Sequence, residues 1–326
     1  MTAPAPVRPW RNAVLFAVTC ASTFGTWLAQ SDVGSLEDRA WDSLWYATTV
    51  MSILTAHELG HFLMARHHGV DTSWPYFIPL PFGFGTMGAV IRLRGRIPTR
   101  DALVDIGAAG PLAGLLMCVP LWIAGVSLSH VGPAPDPGDG FPGDFSLWHL
   151  FGRWNDAASA GPSAQIFGDN LLGWGLQRLI TGRLEPGTDL YAHPVLVASW
   201  LGFLVTMLNL LPVGQLDGGH LTHAWFGRRA ETIGRVVAAL LLVAALLFSA
   251  SWLAWCLVVT FVVKFGHPPV EDDAVPLSTS RKWVCAICFV LTALTFMPTP
   301  LRLVPLPPGP GQRSATVADP GSMRRT

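Results

Sequence analysis

Apolar residues fall into long runs at roughly 12–30, 44–66, 102–129, 193–211, 232–249, 250–265 and 282–298, separated by polar connections. A helix that crosses a bilayer needs about 20 largely apolar residues, so each run predicts a membrane helix. The stretch from Val236 to Phe265 is too long for one crossing at about 1.5 Å per residue. A break near Ser249–Ser251 would turn it into a tight helical pair. Residues 76–97 behave differently: "AVIRLRGRIP" alternates and ends on proline, which reads as strand. A β-hairpin or small sheet is expected there, at the cytoplasmic membrane surface.

The connection 130–192 contains "QIFGDNLLGWGLQRLI", in which Asp169, Asn170, Gln177 and Arg178 make the segment too polar and too short to span. An interfacial helix over 166–182 is expected instead. The Pro-, Gly- and Arg-rich tail 301–326 predicts disorder. The expected fold class is therefore an all-α polytopic membrane protein with one small surface sheet. Its parts are an N-terminal tail and first helix (1–43), a core (44–275, including the external loop 130–192), a last helix (276–300) and a disordered tail (301–326).

Composition sharpens this picture. The chain is 51% hydrophobic and only 13% charged, with mean hydropathy +0.42. Soluble domains carry nearly twice that charge. A formal net charge of zero gives no reason to expect nucleic acid as a partner; the lipid bilayer is the expected one. Cys285 and Cys288 have CxxC spacing inside an apolar run, which reads as packing rather than as a redox or metal pair. The N-terminus "MTAPAPVRPWRN" lacks the pattern of a cleaved leader, and the first run is expected to be retained.

Arginines orient the chain. Arg8 and Arg11 precede the first run, and Arg66, Arg92, Arg94, Arg96 and Arg100 follow the second. Arg228, Arg229 and Arg235 follow the fourth, and Arg281 and Lys282 precede the last. All fall on one side if the N-terminus is cytoplasmic. With no crossing in 130–192, the second and fourth spans are expected to run parallel, so their ends share a depth.

Into this apolar pattern the second run brings "HELGH", residues 57–61. Ionisable side chains in a membrane are costly and usually functional. His57 and His61, one helical turn apart, project from one face toward a single ion, and Glu58 beside them can act on water. This is the zinc-hydrolase signature, and composition gives a chance match only roughly 0.005 times in such a chain. A catalytic zinc takes three protein ligands. If the helix continues, His67 points away and lies roughly 15 Å along it; with His68 it belongs at the interface. Glu185 precedes a Pro–Gly break, and Glu231 and Glu271 are in polar connections. Asp217, after Pro212 and beside Gly218–Gly219, remains, either as ligand or as a helix cap, with His220 and His223 as fallbacks.

Other segments mislead more easily. "GFGTMG" (83–88) satisfies GxGxxG, but strand rather than helix follows it, which argues against nucleotide binding. Gly107, Gly110 and Gly114 have helix-packing spacing and are read as structural, and Asp105 as a polar contact between helices.

At "HELGH" and "NLLPVGQLDG" (209–218) the sequence resembles the site-2 proteases, a family of intramembrane zinc metalloproteases. "GTMGAVIRL", "DIGAAGPLAG" and "HPPVEDD" are also similar to the family's core, and the resemblance covers roughly 44–275. It implies one zinc ion per chain held by His57, His61 and Asp217. Glu58 would be general base and acid, and Asn209 would help hold the scissile peptide or its oxyanion. No PDZ-like insertion or nucleotide-sensing module is recognisable, so a compact member is expected. The implied activity is cleavage of a transmembrane segment near the cytoplasmic side, in a bacterial cell membrane. The implied substrate is an anti-sigma factor or another membrane-anchored regulator. A zinc transporter would need polar residues on both sides of the ion, which the last three spans lack, and an inactive scaffold would not need Glu58.

Overall fold

A computed structural model of the chain describes residues 9–31, 34–134, 163–249, 251–263, 265–266 and 270–305. Much of the loop expected to be external (135–162) and the tail beyond 305 lie outside these residues, as does the N-terminal end of the first segment.

Helix α1 spans Pro9–Gln30 and α2 Leu36–His67. Ser35 and Asp38 form a reciprocal capping box at the start of α2, and Arg66 and His67 sit in its last turn, where the helix dipole favours positive charge. Strands β1 (Tyr76–Pro79) and β2 (Thr86–Val90) follow, then α3 (Arg100–Leu128), whose start is capped by the Thr99 hydroxyl. Beyond α3 come β3 (His130–Pro133), β4 (Ser163–Phe167), α4 (Leu171–Thr181) and β5 (Thr188–Tyr191). Helices α5 (Pro194–Asn209), α6 (Asp217–Phe226) and α7 (Arg229–Leu247) precede α8 (Ser251–Leu257), which continues as a π-helix over Val258–Val263. Helix α9 (Thr279–Thr295) and β6 (Leu301–Pro305) complete the order.

The protein is a mostly helical polytopic membrane protein with small antiparallel sheets. By length and composition, α1, α3 and α7 are long and apolar enough to cross a bilayer, while α5 and the segment Ser251–Phe261 are apolar but shorter. The expected break between α7 and α8 falls at Ser249, whose hydroxyl meets that of Ser251 at 2.8 Å.

Helix α5 is the hub. Every residue from Pro194 to Leu204 is buried, as expected of a helix apolar on all sides, and α2 and α3 pack against it. Trp45 of α2 meets His193 at the start of α5, and His57 meets Asn209 at its end, so the two helices run parallel. Helix α3 runs against both, with Gly125 on Leu196 at one end and Gly110 on His61 at the other. His130 pairs with Tyr191, so the chain leaves α3 and re-enters α5 at the same end. That return without a crossing is what makes α2 and α5 parallel.

Three readings change on contact with the structure. The tail does not lose order at 301, because Leu301–Pro305 pairs antiparallel with β4. The segment read as a helix from 166 begins instead as β4, and the helix starts only at Leu171, after the Asn170 cap. The hairpin also reaches beyond one surface. Asn12 of α1 holds its base at Trp74 and Pro75, while Gln30 holds its tip at Gly83. Those two residues are about 27 Å apart along the helix. Non-helical backbone is tolerated at membrane depth where protein supplies its hydrogen bonds, and here α1 supplies them. The "GFGTMG" segment forms the hairpin turn and β2, with Gly83, Gly85 and Gly88 at positive φ, and no helix opens there.

Candidate metal centre

His57 and His61 lie ten and six residues before the end of α2, on the face turned to α3 and α5, and both are buried. The imidazole orientation of His61 is set by the backbone. Its Nδ1 is 2.7 Å from the Ile106 carbonyl oxygen, which accepts only if Nδ1 carries the hydrogen. Nε2 is then left with a lone pair, the arrangement typical of metal-ligating histidines.

Asp217 arrives from the turn after α5. The turn is tight because Gly218 and Gly219 have no side chain: a Cβ on Gly218 would lie 2.0 Å from the Leu210 carbonyl oxygen, and one on Gly219 2.3 Å from that of Gly214. Asp217 does not cap α6. The cap position is Leu216, which makes no side-chain cap, and the carboxylate points at the imidazoles instead. Asp217 Oδ2 lies 3.3 Å from both His57 Nε2 and His61 Nε2, and the two nitrogens are 3.1 Å apart.

These distances form a near-equilateral triangle of atoms that can each act as a metal ligand. Tetrahedral zinc with ligand bonds of about 2.0–2.1 Å spaces its donors about 3.3 Å apart, and two imidazoles with a carboxylate form a donor set suited to it. The residues fit the ion. Among the described residues this is the one group of three or more such donors that converges.

The surroundings complete the site. Glu58 is buried beside the triad, 4% exposed, with its carboxylate against the backbone N–H of Ile91 just beyond β2. Asn209, the last residue of α5, has its Nδ2 3.4 Å from His57 Nε2. His220 and His223 are outside the group; His220 packs on Gly107 of α3. His67 ends α2 exposed, and His68 hydrogen-bonds Asp105, which Arg281 of α9 also pairs with at 2.9 Å. Asp105 is thus the interhelical contact expected of it. Glu185, Glu231 and Glu271 are engaged elsewhere: the Glu185 and Glu271 backbones in turn and bridge contacts, and Glu231 with Arg235. Cys285 and Cys288 are buried in packing.

The glycines of α3 have a closer part in the site than their spacing suggested. A Cβ on Gly110 would sit 2.0 Å from His61 Nε2, and one on Gly114 3.3 Å from His57 Nδ1. On α2, a Cβ at Gly60 would strike the Ala109 carbonyl oxygen at 2.4 Å. The donors have room because α3 has no side chains there.

A model described as "Peptidase family M50" matches residues 45–250, a span that contains all three donors and Glu58. The chain is 32% identical over 249 residues to a protein of Arabidopsis thaliana named "Probable zinc metalloprotease EGY1, chloroplastic", covering 76% of this chain and 42% of that protein. It is 30% identical over 233 residues to "Probable zinc metalloprotease EGY2, chloroplastic" of Oryza sativa subsp. japonica, covering 71% of this chain and 38% of that one. The chain therefore spans less than half the length of these relatives. No solved structure matches. The family match over most of the chain, with "HELGH" and "NLLPVGQLDG" converging on one point, shows that the chain belongs to peptidase family M50.

Proposed function

We propose that this chain is an intramembrane zinc endopeptidase, with its catalytic core in residues 44–275, that cuts a transmembrane segment of another protein. The observation that carries the reading is the 3.1–3.3 Å triangle of His57, His61 and Asp217 with Glu58 buried beside it. His57, His61 and Asp217 would hold one zinc ion. Zinc supplies Lewis acidity toward a scissile carbonyl and acidifies water near neutral pH. Glu58 takes the proton from the attacking water and returns it to the leaving amine. His57, Glu58 and His61 are buried and Asp217 is half-buried, which limits contact with bulk solvent and leaves the charges involved weakly screened.

A helical substrate hides its carbonyls in its own hydrogen bonds and must unwind before attack. The outer edge of β2, which leads to Ile91 beside Glu58, offers backbone groups to an extended segment; strand addition of this kind gives affinity through main-chain hydrogen bonds. Asn209 can donate to and accept from that same backbone. Asn209→Ala is expected to lower turnover roughly 10²-fold, the scale of one oxyanion donor, with zinc content and thermal stability unchanged. Parallel loss of stability and activity would make it a packing residue.

The arginine clusters support a cytoplasmic N-terminus and so cleavage near the cytoplasmic side, and a bacterial cell membrane is the setting of this proposal. By helix rise, His57 is about 13.5 Å along α2 from Arg66. Reporters after Arg94 and after Arg228 should be cytoplasmic, and one at position 140, outside the described residues, external. If 94 and 228 report opposite sides, the segment 166–182 crosses the membrane and the parallel course of α2 and α5 fails. The protease reading itself is tested with Glu58→Gln: substrate cleavage should vanish while zinc content stays at wild type. A transporter or a scaffold would keep its function in that variant.

A further inference from the structure

Hydrogen bonds from α1 and α2 hold the turn of the hairpin, where Phe84 also meets Trp200 of α5. Ser22 Oγ of α1 donates to the Leu80 carbonyl at 2.7 Å, and Gln30 Nε2 donates to that of Gly83 at 2.8 Å. From α2, Tyr46 OH donates to the Phe84 carbonyl at 3.1 Å, with its ring stacked on Trp27 of α1. Gly85, at φ +82°, lies so close to α1 that a Cβ would be 2.4 Å from Thr23 Cα. At the base, Asn12 takes the carbonyls of Trp74 and Pro75.

These contacts engage the β1 side and the turn. In this two-stranded sheet β2 pairs with β1 alone, so among the described residues its outer edge has no strand partner, and Met87 and Val90 on β2 are exposed. That edge continues into Ile91, whose N–H faces Glu58. A two-stranded hairpin has little stability of its own, so the place of this edge relative to Glu58 depends on what clamps the turn.

We infer that Ser22, Gln30 and Tyr46 are positioning residues for peptide hydrolysis: they close the β1 side of the hairpin and fix the turn, so that only the β2 edge, in line with Glu58, receives an extended substrate strand. This rests on the protease reading above. None of the three touches the metal donors. Their effect passes through the hairpin, where a displacement of about 1 Å can cost about 10²-fold in rate.

The test combines turnover with photo-crosslinking in lipid vesicles, using a single-span substrate. Ser22→Ala/Gln30→Ala should lower kcat/KM at least tenfold with zinc content unchanged, and Ser22→Thr, which keeps the hydroxyl, should keep near wild-type activity. With Glu58→Gln to trap substrate, a photoreactive residue at position 87 should crosslink to it and one at position 78, on β1, should not. The double variant should lose that selectivity. Gln30→Ala alone, a change at an exposed side chain, carries the same test if the double variant fails to fold. Activity within twofold of wild type in the variants, or equal crosslinking from 78 and 87, overturns the inference. A wild-type enzyme that neither cleaves nor crosslinks overturns the protease reading as well, and so is told apart from failure of the clamp alone.

Discussion

Gly110→Ala is expected to abolish zinc binding and activity together, although the substitution adds a single methyl group and removes no ligand. The added carbon would sit 2.0 Å from His61 Nε2, far inside the van der Waals contact distance to the atom expected to face the ion. Two escapes exist, and neither keeps the site. His61 could rotate, but its Nδ1 is fixed to the Ile106 carbonyl at 2.7 Å. Helix α3 could move away, but Gly60 lies against Ala109 and Gly107 against His220, so α3 is in close contact on both sides. Metal analysis of purified Gly110→Ala should read near zero with helix content by circular dichroism unchanged. Gly25, where a Cβ meets nothing within 4 Å, gives the control: Gly25→Ala should keep both metal and activity. A Gly110→Ala enzyme with full zinc content would show that α3 does not confine the donors.

Asp217→Ala is expected to remove metal and activity by a different route. It leaves two imidazoles 3.1 Å apart without the carboxylate that both approach at 3.3 Å. Two neutral ligands hold zinc far more weakly than two with an anion, and no other donor converges there among the described residues. Asp217→Asn keeps the shape and loses the charge, so it should also fall well below wild type in zinc content. Glu58→Gln should do the opposite, keeping the metal and losing turnover. The contrast is informative because Glu58 and Asp217 are carboxylates in the same pocket. If Asp217→Ala retained stoichiometric zinc, another residue would be the third ligand and the triangle would be a packing contact.

How much of this was legible in the sequence depended on whether side chains or backbone did the work. His57, Glu58, His61 and Asp217 declare themselves by chemistry and spacing, and the parallel course of α2 and α5 followed from one polar connection too short to cross. The parts that stayed hidden are mainly backbone. The Ile106 carbonyl that orients His61 and the Ile91 N–H beside Glu58 carry no side-chain signature. Gly110 was visible only as packing spacing, since an absent side chain does not say what fills its place. The depth of the hairpin rested on Ser22 and Gln30, two polar residues that an apolar helix can carry without any role. Strand β6 is hidden because composition reads its Pro-rich segment as disordered, and the end of its partner β4 overlaps the start of a segment read as helix.

Zinc K-edge absorption on the purified protein, paired with cleavage assays across chelation and zinc re-addition, tests the metal site most directly. The expected result is one zinc per chain with two imidazole nitrogens and a carboxylate oxygen at about 2.0–2.2 Å, and cleavage that falls and returns with occupancy. A sulfur ligand from Cys285 or Cys288, or cleavage that persists once zinc is gone, would contradict it.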